Sequence, residues 1–537
     1  ENNDDNNDNN DDEDNFFPEN LFNCWLKLRK ILMGEIILPL ELDFLFNNNR
    51  SDLLILKKMK DAISERDSIL NNALICCNGI MHCGTTIDQF LRDNLEWMGR
   101  STNWAKFTAT ACLGMIHYHH INESMNILSE YLPGSGGGPY QEGGSLYALG
   151  LIHCGDNSDT TKIKLKEFLL KNLQNASNEI LQHGSCLGLG LTLLGIGNDE
   201  DTLNIVKDIL FQDRAIPGFA SGLSLGLILC GTGNYQWFEE MLNYCHETQH
   251  DKIIHGLVIG IAIIYYNLEE KADKIINILI KDKNEMIRYG CCYTIGLAYV
   301  GTSNNNAISK LLHLAVSDVS NDVRRAAVTN LGFILCNNPS KLPNVIQLLS
   351  NSYNAHVRYG SAAALGIACA GTGNIKAIKI LKKLANDNID YVKQSALISL
   401  GMILIQHNKY EYSEFNDIRE NILLAKVLDK REKKMTKMGA ILGLGLLDCA
   451  GKNVTISLYD KQLNCKRQSS IIGMTIFWQY WFWYPLIPFI SLTFKPTFIM
   501  CLNNNLKKIK INVKSNVNKN KFDYVEMIKT ETKEKKK

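Results

Sequence analysis

Several absences narrow what this chain does before any pattern is read. It has no charge excess: 57 Lys and Arg stand against 56 Asp and Glu, a formal net charge of +1. A 537-residue chain so balanced has no overall pull toward nucleic acid or an anionic membrane. Its 16 cysteines include no C-x-x-C pair, the spacing that zinc ribbons and thiol redox sites use. Five of them, Cys83, Cys154, Cys230, Cys336 and Cys449, recur at one repeat position. They read as small buried apolar residues of a reducing compartment. No signal peptide is visible and no Met opens the sequence, so the start reads as a fragment or as the inside of an insert.

Catalytic signatures are equally scarce. Gly134-Ser-Gly-Gly-Gly-Pro139 is glycine-rich but lacks the lysine and Ser/Thr of a phosphate loop, and Glu142 follows instead. His82, His117 and His153 share one repeat position, yet stacked helices about 8–10 Å apart hold such rings too far from a common zinc, whose Zn–N distance is about 2.1 Å. No Ser/His/Asp or Cys/His arrangement stands out. Neither enzyme activity, nor a metal, nor a cofactor is expected.

What is present is glycine at a nearly fixed period. It falls at Gly79, Gly114, Gly150, Gly190, Gly226, Gly260, Gly296, Gly332, Gly366, Gly401 and Gly445, in steps of 34 to 44 residues. Leu or Ile precedes it in ten of eleven cases, and a large apolar residue always follows. Six residues earlier stands a small residue, such as Ala73, Gly144, Gly184, Ala220, Gly360 or Gly439, with Ile254 the exception. Two residues earlier the side chain is again usually small, as at Cys77, Ala148, Gly188 and Ser224. Positions −6 and −2 share one helix face and position zero lies roughly opposite. Each such helix therefore offers small side chains to two neighbours at once. Glycine inside a helix costs about 1 kcal/mol relative to alanine, so close helix contact must offset the loss.

A second glycine often follows five residues later, in turns such as Gly231-Thr-Gly-Asn234, Gly301-Thr-Ser-Asn304 and Gly371-Thr-Gly-Asn374. Glycine suits a left-handed helix end and Asn caps the next helix. That second helix is amphipathic, as in Ile375, Ile378, Leu381 and Leu384. The pattern predicts an all-α repeat, an α–α solenoid of about eleven two-helix units over 70–455. A helical segment over 15–69 precedes it, behind an Asn/Asp tract over 1–14 that cannot bury a core. A small C-terminal β domain is expected over 456–525, with strands at Val454–Leu458, Ile471–Ile476 and Leu506–Val513, then a charged tail over 526–537.

Two features invite a functional reading. Eight residues before most of the glycines stands a polar residue, and in the later units this column is basic: Arg288, Arg324, Arg358 and Lys393. Such a column is either a row of inter-repeat ion pairs or a docking strip for an acidic partner. The run Ile471–Phe494 has 24 residues without a charge, long enough to cross a membrane. Pro485, Pro488 and its interior aromatics favour instead a buried strand pair broken at the prolines.

The unit small-x-x-x-small-Leu-Gly-Leu followed by Gly-Thr-Gly-Asn resembles the proteasome/cyclosome repeat family. Flanking stretches add to it: Asp88-Gln-Phe-Leu-Arg-Asp-Asn-Leu-Glu-Trp97, Asn103-Trp-Ala-Lys-Phe-Thr-Ala-Thr110, Tyr140-Gln-Glu-Gly-Gly144, Asp322-Val-Arg-Arg-Ala-Ala327 and His356-Val-Arg-Tyr-Gly360. The resemblance covers roughly 30–525. It implies a solenoid closed into a toroid, two helix layers around axial helices. It also implies a non-catalytic scaffold in the base of the proteasome regulatory particle, in cytoplasm and nucleus. The partners implied are the ATPase ring subunits, lid subunits and a deubiquitinating subunit. A ubiquitin receptor would be held by an acidic C-terminal tail, which these residues do not contain, and a long helical rod ahead of the ring is mostly absent as well. Two alternatives remain: a repeat scaffold of the anaphase-promoting complex, and an adaptor tethered to a membrane by Ile471–Phe494.

Overall fold

The structure, a computed structural model, describes residues 19–156, 159–460, 463–525 and 527. The Asn/Asp tract over 1–14, and all of the expected tail over 526–537 but residue 527, lie outside the described residues.

The glycine pattern falls on a series of helices: Ser68–Met81, Trp104–Ile116, Pro139–Ile152, Glu179–Thr192, Ala215–Ile228, Asp251–Ile264, Glu285–Ala298, Asn321–Ile334, Ala355–Ala368, Asp390–Ile403 and Lys434–Leu447. Each packs along the next. Amphipathic helices such as Glu200–Leu210, Tyr235–Glu247, Asn305–Ser317 and Ile375–Leu384 alternate with them and rest on the glycine helix that follows. Asn234, Asn304 and Asn374 cap three of these, each side chain accepting from two backbone amides of the first turn.

The small residues are where the backbones meet. Position zero of one helix lies against position −2 of the next: a Cβ added at Gly114 would fall 2.7 Å from Ala148 Cα, and one at Gly401 would fall 2.5 Å from the Gly443 carbonyl oxygen. Position −6 lies against the preceding helix, where a Cβ at Gly360 would fall 2.7 Å from the Arg325 oxygen. No side chain fits between backbones this close.

One glycine departs from the predicted register. Gly260 lies at the Gly226 backbone, the place that Gly188 and Ala148 hold in their units, so it occupies position −2 and Ala262 occupies zero. Gly256 then supplies the small residue at −6, which removes the Ile254 exception. The turn agrees: Asn267, five residues after Ala262, takes the left-handed φ of +60° that Gly231 takes at +74°.

These turns join successive units. The Gly231 amide donates to the Ile263 carbonyl at 3.2 Å and the Gly233 amide to Ile264 at 3.1 Å. Gly195, Asn267, Gly301 and Gly371 make the corresponding bond to Leu227, Leu297, Phe333 and Met402. A helix leaves its last carbonyls without intrahelical partners. Here the preceding turn supplies them.

The last helix of the series lies against the first. Lys434–Leu447 packs along Ser68–Met81, and a Cβ on Gly445 would fall 3.0 Å from Cys77 Sγ. This is again position zero against position −2. Lys434 Nζ also meets Asp67 Oδ2 at 3.0 Å.

The C-terminal part differs from the expected β domain. Only three two-stranded antiparallel pairs form among the described residues: Val454–Ile456 with Phe494–Pro496, Tyr459–Asp460 with Cys465–Lys466, and Cys501–Leu502 with Lys508–Ile509. The strand expected at Leu506–Val513 is thus reduced to Lys508–Ile509. The strand expected at Ile471–Ile476 is a helix, Gln468–Phe477, and Tyr484–Thr493 follows as a 3₁₀ segment folded back on it. Ser470 Oγ donates to the Leu492 carbonyl across this hairpin at 3.2 Å. Ser470–Phe477 and Pro485–Thr493 are buried throughout, so the run is apolar all round and carries neither helical nor strand periodicity. Being enclosed, it satisfies its own backbone locally instead of pairing with a strand.

Candidate functional site

The basic column is spent within the repeat. Arg288 Nε donates to Asp318 Oδ2 at 2.8 Å and Nη2 to Oδ1 at 3.2 Å, while Nη1 reaches the carbonyls of Asp282 and Lys283, both at 2.9 Å. Arg358 repeats this: Asp387 at 2.7 and 3.0 Å, and the carbonyls of Ser352 and Tyr353 at 2.9 and 3.0 Å. Arg324 Nε donates to the Asp318 carbonyl at 2.5 Å, and Lys393 Nζ meets Glu432 at 2.8 Å. The Arg288 and Arg358 side chains are each only 17% exposed, so little of either head is left for a partner. Burial draws the Asp318 and Asp387 carboxyls upward, but the bidentate guanidinium and backbone amides outweigh it and hold both below the usual carboxylate range. Arg288, Arg358 and Lys393 therefore clamp one unit to the next, while Arg324 ties down the start of its own helix.

A second column, which sequence reasoning missed, faces the buried hairpin. It lies seven residues before position zero, beside the small residue at −6, and it is aromatic or long in six successive units. His183 accepts from Trp483 Nε1 at 3.4 Å. Phe219 stands 6.1 Å from Phe482, and His255 stacks on Phe482 at 4.0 Å and 9°. Tyr289 donates from its hydroxyl to Gln479 Oε1 at 2.6 Å. The Arg325 guanidinium lies 3.6 Å from the Trp481 ring centroid, a cation–π contact. Tyr359 packs edge-on to Trp478 and donates to Tyr480 at 3.3 Å. Burial lowers His183 to about 4 and His255 to about 3, so both rings are neutral near pH 7. Lys252, eight residues before Gly260, sits 4.2 Å from the Trp483 ring. The signal was available: position −7 breaks the small-residue pattern with a bulky side chain.

Other candidates resolve into structure. His82 hydrogen-bonds the Asn78 carbonyl at 3.1 Å, and His153 lies between Ser124 Oγ at 2.9 Å and Asp156 at 3.5 Å. Among the described residues no group of three or more His, Cys, Asp or Glu comes together as a metal site. Among them, too, no helix is long and apolar enough to cross a membrane. A groove of about 850 Å³ lies between Arg29, Met33 and Leu38 on one side and Thr86, His119 and Ile121 on the other. The ring of His119 in that groove is held by the Cys154 carbonyl at 3.2 Å.

Residues 308–401 match the HEAT repeats family. The chain is 49% identical over 93% of its length to 26S proteasome non-ATPase regulatory subunit 1 homolog B of Arabidopsis thaliana, covering 49% of that protein. It is 45% identical over 95% of its length to 26S proteasome non-ATPase regulatory subunit 1 of Drosophila melanogaster, covering 50%. It is 45% identical over 92% of its length to the 26S proteasome regulatory subunit rpn2 of Schizosaccharomyces pombe, covering 51%. This chain is a homologue of 26S proteasome non-ATPase regulatory subunit 1. It spans about half the length of the curated relatives it matches. The homology takes in the repeat, the turns and the hairpin alike.

Proposed function

We propose that the chain is a non-catalytic scaffold of the 26S proteasome regulatory particle, in which eleven two-helix units close into a toroid around the aromatic hairpin. The observation that carries the functional part is homology over 93% of the chain to proteins named as regulatory subunits of that assembly. The contact of Lys434–Leu447 with Ser68–Met81, in the register that the other position-zero glycines make with the next helix, supports closure.

The mechanism is geometric. Backbone-to-backbone contacts, turn-to-carbonyl bonds and arginine clamps make each unit stiff toward the next. A stiff ring offers the outer helices and turns as fixed docking ground. On this reading the ATPase ring subunits, lid subunits and deubiquitinating subunit are the partners, and the site of action is cytoplasm and nucleus. The test is to tag the chain in its own cell, purify it gently with ATP and identify what accompanies it. Recovery of proteasomal ATPases and lid subunits is expected. Recovery of anaphase-promoting-complex subunits, or of the chain alone, would overturn the assignment.

A further inference from the structure

One surface is left over by the scaffold reading. Lys507, Lys508, Lys510, Lys514, Lys519 and Lys521 crowd the end of the described chain, and no Asp or Glu stands between Asp460 and Asp523. Nearly the whole stretch over 503–522 is exposed, and Ile509, Ile511, Val513 and Val517 are exposed between the lysines. Such a run repels itself and gathers anions.

The matching anion is in the same chain. Residues 1–14 hold eight carboxylates and no Lys or Arg; they lie outside the described residues and are known by sequence. The described chain that follows them touches the lysine strip and the loop ahead of it. Helix Glu19–Leu32 begins five residues after Asp14, and its Lys27 Nζ donates to the Asn504 carbonyl at 3.0 Å. Lys508 meets Asp43 Oδ2 at 3.1 Å, on the next helix of the same leading segment. From Glu19 to Lys27 the helix rises only about 12 Å. Fourteen extended residues reach up to about 45 Å, close to the contour of 507–521. A tether this short puts the two runs at an effective concentration of about millimolar.

We propose that the acidic tract over 1–14 docks along the lysine strip over 507–521 of the same molecule, an electrostatic clasp within the chain. The apolar residues between the lysines would be screened by the same contact. The clasp occupies a polyanion-binding strip that would otherwise be open to any acidic partner.

The test is zero-length carbodiimide coupling of the full chain, read by mass spectrometry on the monomer band. Low salt, where the screening length is about 10 Å at 0.1 M, favours the contact, and about 1 M salt shortens it to about 3 Å. Amide links between carboxylates of 1–14 and lysines of 507–521 are expected at low salt and lost at high salt. Their absence from the monomer, or their appearance only in a covalent dimer, would overturn the clasp. A second measurement needs no coupling chemistry. Trypsin should cut after Lys514 and Lys519 several-fold faster when the eight acids of the tract are changed to Asn and Gln, because cleavage follows the open population. Equal rates in the two chains would overturn it as well.

Discussion

At the scale of single residues, the glycines are not equivalent, and their surroundings say which one tolerates a methyl. At Gly114 the added Cβ would meet backbone, Ala148 Cα at 2.7 Å. Two helix axes would have to part, so Gly114→Ala should destabilise by about 1–3 kcal/mol or more. At Gly79 the nearest atoms are the Cys112 Cβ and Met115 Sδ, both 3.3 Å away, and the methionine can yield. There the helix-propensity gain of up to about 1 kcal/mol should leave Gly79→Ala near neutral. Urea denaturation of both variants checks this, and equal losses would refute it. The arginine clamps add a pH dependence. Asp318 and Asp387 have folded values held below the ordinary 3.8 of the carboxyl. Their contribution is therefore complete above about pH 4 and is lost as pH falls through the lower folded value. Asp318→Asn should cost stability at pH 6, and its deficit should shrink steadily below pH 4 in denaturation curves taken across that range.

At the scale of elements, the repeat was readable because its constraint is local: a helix between two others needs small residues four apart, and Gly184 with Gly188 or Ser395 with Ser399 show it in the bare sequence. The register slipped once, at Asp251–Ile264, because Gly256 and Gly260 are both present and Ala262 fills the place glycine holds elsewhere. The hairpin was not readable. Ile471–Phe494 takes its form from what encloses it, and a run apolar on every side has no period to betray helix or strand. Trp478, Phe477 and Phe489 are among the largest fully buried side chains. Trp478→Ala should therefore cost about 3–5 kcal/mol, with a matching fall in the denaturant midpoint. A loss under about 1 kcal/mol would mean the hairpin is only loosely held by the units around it.

At the scale of the whole molecule, an open array and a closed one differ in what their ends do. In an open stack each unit contacts only its neighbours, so the terminal units are the least protected. Here a buried charge cluster lies where the leading helices meet the last unit. Arg419, on the π-helical turn Ile418–Leu424, reaches Asp52 at 3.2 Å and Asp448 at 3.1 Å, and Lys452 lies 3.6 Å from Asp448, every one of these side chains at most 3% exposed. Asp52 also caps helix Leu53–Ala62, accepting from the Leu54 and Ile55 amides. Arg419→Met would leave two carboxylates buried near each other, at a cost of about 3–5 kcal/mol. Adding Asp52→Asn removes the excess charge and leaves Asp448 paired with Lys452, so it should recover much of the loss, since Asn keeps the cap. Hydrogen exchange reads where the cost falls. In the unchanged chain, Ser68–Met81 and Lys434–Leu447 should be as protected as Asp251–Ile264 in the middle of the series. In Arg419→Met those two helices should lose protection first, ahead of the middle helices. Terminal helices that exchange fastest in the unchanged chain would mean that the series ends in solvent and that the ring is not closed.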